Sequence, residues 1–301
     1  MRVPLLAGLL LLQAVIHVQT KLVVVPVTVT DAHGHSVSGL SQDSFHLFDD
    51  GRPQSIAVFH RGDVPVTLGL IIDRSQSMRP KTMALQGVVS ALLDASRPDD
   101  ELFAVAFNDR VSDALSTGQA FTSDKAALGA ALAAIRAEGR TALYDGVAEG
   151  LRHLHLGHTG KHALIVVSDG GDNASRQTYA QILALARQSD TVIYAIGLLG
   201  RSTAEEEEDG DLLTRLCRDT GGIALFPKTP DENVPHAMQI ARDLREQYTL
   251  GFVPGDQGNL QAFRRIEVRV TAPGQGRLQV RTRAGYVPGD DKDARIDRDE
   301  R

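Results

Sequence analysis

A single cysteine, Cys217, stands in 301 residues. No intrachain disulfide is open to the chain, and no N-terminal cysteine offers a site for lipid attachment. Phosphate-cradling glycine motifs are missing: neither G-x-x-x-x-G-K nor G-x-G-x-x-G occurs, so nucleotide chemistry has no support. Long basic clusters are missing as well. With a formal net charge of −6 and no concentrated Lys/Arg face, the chain lacks the electrostatic footprint of a nucleic-acid binder or of a protein held on an anionic membrane. No G-x-S-x-G elbow is present, which argues against a Ser-His-Asp hydrolase. The N-terminal apolar run, Leu5 to Ile16, is broken only by Gln13 and falls short of the about 20 residues a membrane span needs. Placed between Arg2 and the polar residues His17, Gln19, Thr20 and Lys21, it reads as an export signal over residues 1–20. No Ala-x-Ala site follows, which leaves both cleavage and retention as an N-terminal anchor open. Export without disulfides points to a bacterial envelope, periplasmic or extracellular.

What is present suits a large domain with a smaller companion: 42% of the residues are hydrophobic, enough for a sizeable core. From Leu22 to Phe59 the pattern is β, with apolar alternation in Leu22 to Thr30, and Phe45 to Phe48 and Ile56 to Phe59 flanking the turn signal Asp49-Asp-Gly51. Between residues 64 and 247 strand patterns at 66–72, 101–107, 163–168, 191–197 and 222–226 alternate with helical patterns at 80–96, 124–137, 142–155, 176–188, 211–219 and 231–246. That alternation predicts an α/β fold, a doubly wound and mostly parallel sheet covered on both faces. Ser123 and Ser175 are candidate N-caps, and Gly221-Gly222 ends a helix. After Gln247 the chain returns to β at 248–253, 266–270, 278–282 and 285–287. Neither β flank has enough strands for a core of its own, so 22–62 and 248–287 are expected to join as one β-sandwich-like domain into which the central unit is inserted. Residues 288–301 are almost wholly charged and read as a disordered tail.

The chemistry gathers in three segments. Leu68-Gly-Leu-Ile-Ile-Asp-Arg-Ser-Gln-Ser77 runs an apolar strand into oxygen side chains at alternate positions, Asp73, Ser75 and Ser77. Gly139-Arg-Thr-Ala-Leu-Tyr-Asp-Gly146 places Thr141 at the entrance to a helix, and Ala163-Leu-Ile-Val-Val-Ser-Asp-Gly-Gly171 places Asp169 at the end of a second apolar strand. All five fall at the carboxyl ends of predicted strands or the start of a helix, where open α/β sheets bind ligands. Taken singly, each is also an ordinary turn or cap residue. Hydroxyl and carboxylate oxygens in this arrangement suit a hard divalent cation.

The combination Asp-x-Ser-x-Ser, then Thr, then Asp after a strand resembles the metal-ion-dependent adhesion site of the von Willebrand factor type A domain. Together with the β flanks, including Val29 to Gly34, Phe45 to Gly51 and Gly285-Tyr286, residues 22–287 look like the bacterial von Willebrand factor A-related proteins common in acidobacteria. The resemblance implies that Ser75, Ser77 and Thr141 bind Mg²⁺, or Mn²⁺ or Ca²⁺, directly or nearly so. It implies too that Asp73 and Asp169 act through water or by orienting the hydroxyls. An ion held mostly by neutral ligands keeps much of its charge, so an Asp or Glu carboxylate from a partner protein is the natural last ligand. The expected function is an exported, metal-dependent protein-binding or adhesion module and not an enzyme.

Two other readings stay open. Asp73 with Asp169 and Asp172 loosely imitates a haloacid-dehalogenase-like Mg²⁺-dependent hydrolase, yet Ser75 stands where that chemistry needs a second carboxylic acid. A structural module with a non-binding metal motif is the other. Smaller features read as ordinary. Arg61-Gly62-Asp63 falls at a domain crossing, and Glu205 to Asp209 reads as a solvated acidic loop. The His set at 153, 155, 158 and 162 lacks accompanying Cys or carboxylates. Asn173-Ala-Ser175 matches a glycosylation sequon, and Cys217 fits a helix core. The arginines of 264–270, with Arg277, Arg281 and Arg283, alternate as a solvated strand face.

Overall fold

The computed structural model describes residues 22–115, 118–198, 204–255 and 262–288. The expected export signal and all but the first residue of the charged tail lie outside them. Among the described residues no helix is long and apolar enough to cross a membrane.

The chain begins in strand β1 (Val23–Thr30), followed by β2 (Phe45–Asp49), β3 (Arg52–Gln54) and β4 (Val58–His60). The hairpin at Asp49-Asp-Gly51 forms, with Asp50 and Gly51 both at positive φ, 48° and 76°, as a two-residue type I′ turn requires. Its second strand is β3 and not the expected 56–59 segment; Val58 to His60 pairs instead in the other sheet, against Thr249 to Gly251.

The central unit follows: β5 (Thr67–Asp73), a 3-10 turn (Gln76–Lys81), α1 (Thr82–Ala95), β6 (Glu101–Phe107), β7 (Val111–Asp113), α2 (Lys125–Ala134), α3 (Leu143–Leu154), β8 (His162–Ser168), α4 (Tyr179–Gln188), β9 (Val192–Gly197), α5 (Ala204–Thr220), β10 (Ala224–Leu225) and α6 (Asn233–Glu246). Its sheet has the order β10-β9-β8-β5-β6-β7, parallel throughout except for the antiparallel edge strand β7. Because the inner strands are apolar on both sides, both faces must be covered. Leu70, Ile72 and Val167 pack with α1, α2 and α6 on one face, while Ile71, Val105 and Val166 pack with α3, α4 and α5 on the other. Cys217 lies fully buried on the second face, where burial pushes its thiol pKa up.

Three local expectations are corrected. The N-cap of α2 is Asp124, whose side chain accepts from Ala127 N, and that of α4 is Thr178, in a capping box with Gln181. Glu205 to Asp209 belongs to helix α5 and not to a loop, in keeping with acidic residues at a helix N-terminus. Gly221, at φ 89°, does close α5 as expected.

The chain ends in β11 (Tyr248–Phe252), β12 (Arg264–Val270), β13 (Gln279–Thr282) and β14 (Gly285–Tyr286). With the first four strands they make two antiparallel sheets, β13-β1-β11-β4 and β14-β12-β2-β3, sharing one apolar core of Val25, Val27, Leu47, Leu250 and Ile266 among others. On β12 the alternation is as read, Ile266 and Val268 inside and Arg265 and Arg269 outside. Arg283 departs from it. It is 6% exposed and donates to Arg187 O and Gly285 O, while Arg281 pairs with the buried Asp243 of α6. These arginines join the sandwich to the central unit rather than face solvent.

Candidate metal centre

Consecutive connections leave β5 and β8 toward opposite faces of the sheet, α1 on one and α4 on the other. Adjacent strands diverging in this way open a crevice at their carboxyl ends, the general ligand position of such sheets. Asp73 is the last residue of β5, and Ser168 is the last of β8.

Asp73 is fully buried and held by two hydrogen bonds: Ser75 N donates to Oδ1 at 2.8 Å and Ser168 Oγ to Oδ2 at 2.6 Å. Burial pushes its carboxyl up to about 6, and the bonds from Ser168 and Ser75 offset only part of that. Its neighbour Asp169 adds a like charge that works in the same direction. Both carboxyl oxygens are engaged, so the side chain acts as an anchor for the Ser75 turn.

Ser75 is buried in an extended conformation before the 3-10 turn, and its hydroxyl does not cap that turn. Instead Ser75 Oγ lies 3.0 Å from Ser77 Oγ, the latter on an exposed residue. Two ligands at neighbouring corners of a Mg²⁺ octahedron, each about 2.0 to 2.1 Å from the ion, sit about 2.9 Å apart. The hydroxyl pair fits that spacing, and the donor set of neutral hydroxyls with nearby carboxylates fits a hard cation.

Thr141 comes from the loop ahead of α3. The N-cap of that helix is Ala142, so the Thr141 hydroxyl is not spent on capping, and it makes no hydrogen bond among those described. Its loop is laid beside the Ser75 turn by Glu138 N to Arg74 O at 2.8 Å and Gln76 N to Gly139 O at 3.0 Å. On its other side the backbone is clamped to the β8 loop. Thr141 N donates to Asn173 Oδ1, and Thr141 O accepts from Asn173 N and Ala174 N. Asp145 then accepts from Arg176 N and Gln177 N. The three segments are thus stitched to one another along one edge of the sheet.

Asp169 follows the last residue of β8. Its Oδ2 accepts from Lys81 Nζ at 2.9 Å in a largely buried ion pair. Lys81, Ser168, Asn173 and Asp145 were not anticipated as parts of this edge. Ser168 could have been, since it ends the same apolar run as Asp169; Lys81 carries no such signal. Asp172, the second acid of the hydrolase reading, is occupied in the loop by Ser175 Oγ and Tyr144 N.

The sequence profile of the von Willebrand factor type A domain matches residues 68–233, more than half of the chain. The chain belongs to that family. The chain is structurally similar to a von Willebrand factor type A protein from Catenulispora acidiphila, at TM-score 0.53 and 14% identity over 84% of this chain and 76% of that one. Proximal thread matrix protein 1 of the mussel byssus is similar at TM-score 0.51 and 17% identity, over 63% of this chain and 48% of that one. At such identities these likenesses speak to the fold alone. Among curated proteins none matches the sequence.

Proposed function

We propose that this vWA protein is an exported module that binds a partner protein through a divalent cation, Mg²⁺ or else Mn²⁺ or Ca²⁺. The carrying observation is the Ser75 and Ser77 hydroxyl pair, 3.0 Å apart and set over a buried Asp73 whose oxygens are already tied down. Ser75, Ser77 and Thr141 would hold the ion, with Asp73 anchoring the Ser75 turn beneath it and both Asp73 and Asp169 supplying negative charge, directly or through water. When bound, the ion supplies a positive point with a coordination position for an Asp or Glu carboxylate of the partner.

The residues of the chain do the rest. Ser168 and the Ser75 amide fix Asp73, and Asn173 and Asp145 lock the loops so that Thr141 stays at the rim. Lys81 neutralises Asp169. With both carboxylates ionised, two negative charges stand against one from Lys81 and two from the ion, leaving about one positive charge to attract an acidic partner. The binding unit is residues 64–247, and the β-sandwich of 22–62 and 248–287 is its mount. Bond cleavage is not favoured, because no carboxylic acid stands two residues after Asp73.

The test is a Mg²⁺ and Mn²⁺ titration of the full chain by calorimetry, wild type against Asp73→Ala, beside a pull-down with and without chelator and an assay with a generic phosphate ester. Metal binding lost in the variant, chelator-sensitive capture and no turnover are expected. A wild type that binds neither ion leaves the structural-module reading standing, and metal-dependent turnover would put the hydrolase in its place.

A further inference from the structure

His153 was set aside for want of carboxylates, and the fold supplies two. We propose that Asp113, Glu149 and His153 form a second cation site, for a first-row transition ion of the Zn²⁺ type, on the outer edge of the central sheet. Their ligand atoms all lie within 4.8 Å of one another.

Each part of the arrangement follows from the fold. Glu149 and His153 are four residues apart on α3 and so share one face of it. Asp113 is the last residue of edge strand β7 and sits opposite Val105 of β6, which packs with α3. Cross-strand partners project to the same side, so the carboxylate is carried toward the helix. The imidazole is held rigidly: it stacks on Phe103 at 4.2 Å with the planes 13° apart and meets Phe121 edge-on at 5.3 Å.

The decisive detail is the ring's hydrogen bonding. His153 Nε2 lies 2.7 Å from Ala120 O, and a carbonyl can only accept, so Nε2 carries the proton. In its neutral form the imidazole then offers the Nδ1 lone pair on the side of Asp113. That atom lies 3.9 Å from Asp113 Oδ1, beyond hydrogen-bond reach, and the side chain is only 9% exposed. A histidine whose far nitrogen donates to a backbone carbonyl while the near one faces carboxylates has the outer-shell pattern typical of a metal ligand. Arg152 takes one oxygen of Glu149, Oε2, and leaves the other. Asp113 is half exposed, so solvent or another ligand could complete the coordination.

Ligand chemistry sets the ion class. A nitrogen donor with two carboxylates suits Zn²⁺ and its first-row neighbours, whereas Mg²⁺ and Ca²⁺ favour all-oxygen shells. Such an ion would staple β7, three residues long and paired only to β6, to α3.

The test titrates Zn²⁺, and Co²⁺ as a coloured stand-in, into the full chain in excess Mg²⁺. Wild type and a Ser75→Ala/Ser77→Ala double variant are expected to bind one equivalent here and to gain thermal stability. In Asp113→Asn, Glu149→Gln and His153→Gln the affinity should fall by ~10-fold or more, with loss of the Co²⁺ visible band in the last. Should His153→Gln fail to fold, the two carboxamide variants, at more exposed positions, carry the comparison. No zinc uptake by wild type overturns the proposal. So does uptake undiminished in Asp113→Asn and Glu149→Gln, or uptake lost in the double serine variant, since the ion would then sit elsewhere.

Discussion

Two buried aspartates at opposite ends of the central sheet meet opposite fates. Asp100, beside the amino ends of the strands, accepts from Arg245 Nη1 and Nη2, from Val66 N at 3.0 Å and from Arg97 N at 2.7 Å. Burial alone would raise its pKa, yet these bonds hold the carboxyl below its usual range. Asp73, at the carboxyl ends, is equally inaccessible but is held by Ser168 and Ser75 and not by a cation, and burial wins. The difference is a hydrogen-bonded cation, which Asp100 has and which the proposed function would supply to Asp73 as a metal ion. The junction residues are satisfied by one another, including Asp63, which pairs with Arg97 and Arg245. That carboxylate ties Arg61-Gly62-Asp63 into the crossing. The edge residues of the site keep donor capacity in reserve.

The largest effect is therefore expected at the satisfied end. Asp100→Ala leaves Arg245 only its more exposed partner Asp63 and strands two amides, and breaking a buried pair costs about 3 to 5 kcal/mol. Urea denaturation should show that loss while Mg²⁺ affinity is unchanged. A variant as stable as wild type would erase the proposed contrast between the two ends.

Lys161, also at the amino end, is 6% exposed and donates to Leu244 O. Burial pulls its ammonium down to about 8 from 10.5, and the nearby Arg245 acts in the same direction. The folded pKa lies below the unfolded one, so between pH 8 and 10.5 the unfolded chain binds more protons. Stability contributed by this group is thus lowest below pH 8 and rises with pH through that window, by on the order of 3 kcal/mol at 1.36 kcal/mol per unit. Lys161→Met should flatten this part of the stability profile, measured by denaturation at a series of pH values. An unaltered slope would assign the rise to other groups.

At the carboxyl end, metal should do what Arg245 does for Asp100. Added at about a hundred times its dissociation constant, Mg²⁺ is expected to stabilise the wild type by about 2.7 kcal/mol, and chelator should remove the gain. In Asp73→Ala the gain should vanish. Thermal melts with and without Mg²⁺ check this, and equal gains in both proteins would dissociate Asp73 from the ion.

Much of the central sheet was legible because its strands are continuous apolar runs: β6 was read at 101–107, the span it occupies, and β5 and β8 to within a residue. The hairpin partner was misread for a physical reason. Arg52-Pro-Gln54 contains a proline, which ordinarily argues against a strand, but β3 is the edge of its sheet, where proline is tolerated. Thr178-x-x-Gln181 carried a capping-box signal that Ser175 obscured. Arg283 and His153 show what a sequence withholds. The alternation that exposes Arg283 says nothing of the second domain packed over it, and the carboxylate facing His153 comes from Asp113, on a strand distant in sequence from its helix. The Lys81 contact is of the same kind, because nothing local to either residue announces that Lys81 meets Asp169.

That contact gives the smallest effect and the finest probe of the comparison. The Lys81 and Asp169 side chains are 21% and 11% exposed, so the pair lies between a surface bridge and a buried one. Surface bridges contribute about 0 to 1 kcal/mol, and Lys81→Met, which keeps the aliphatic stem, should cost about 1 kcal/mol in metal-free protein. Its effect on the ion should have the opposite sign. Removing a positive charge beside the hydroxyl pair frees Asp169 and lessens repulsion of a dication, so Mg²⁺ should bind more tightly, by roughly a few-fold for an interaction screened near the surface. The same change lowers the charge left for an acidic partner, so capture should weaken even as metal binding improves. Calorimetric Mg²⁺ affinity and partner capture moving together in Lys81→Met would refute the division of labour in which the serines hold the ion and the lysine preserves its charge.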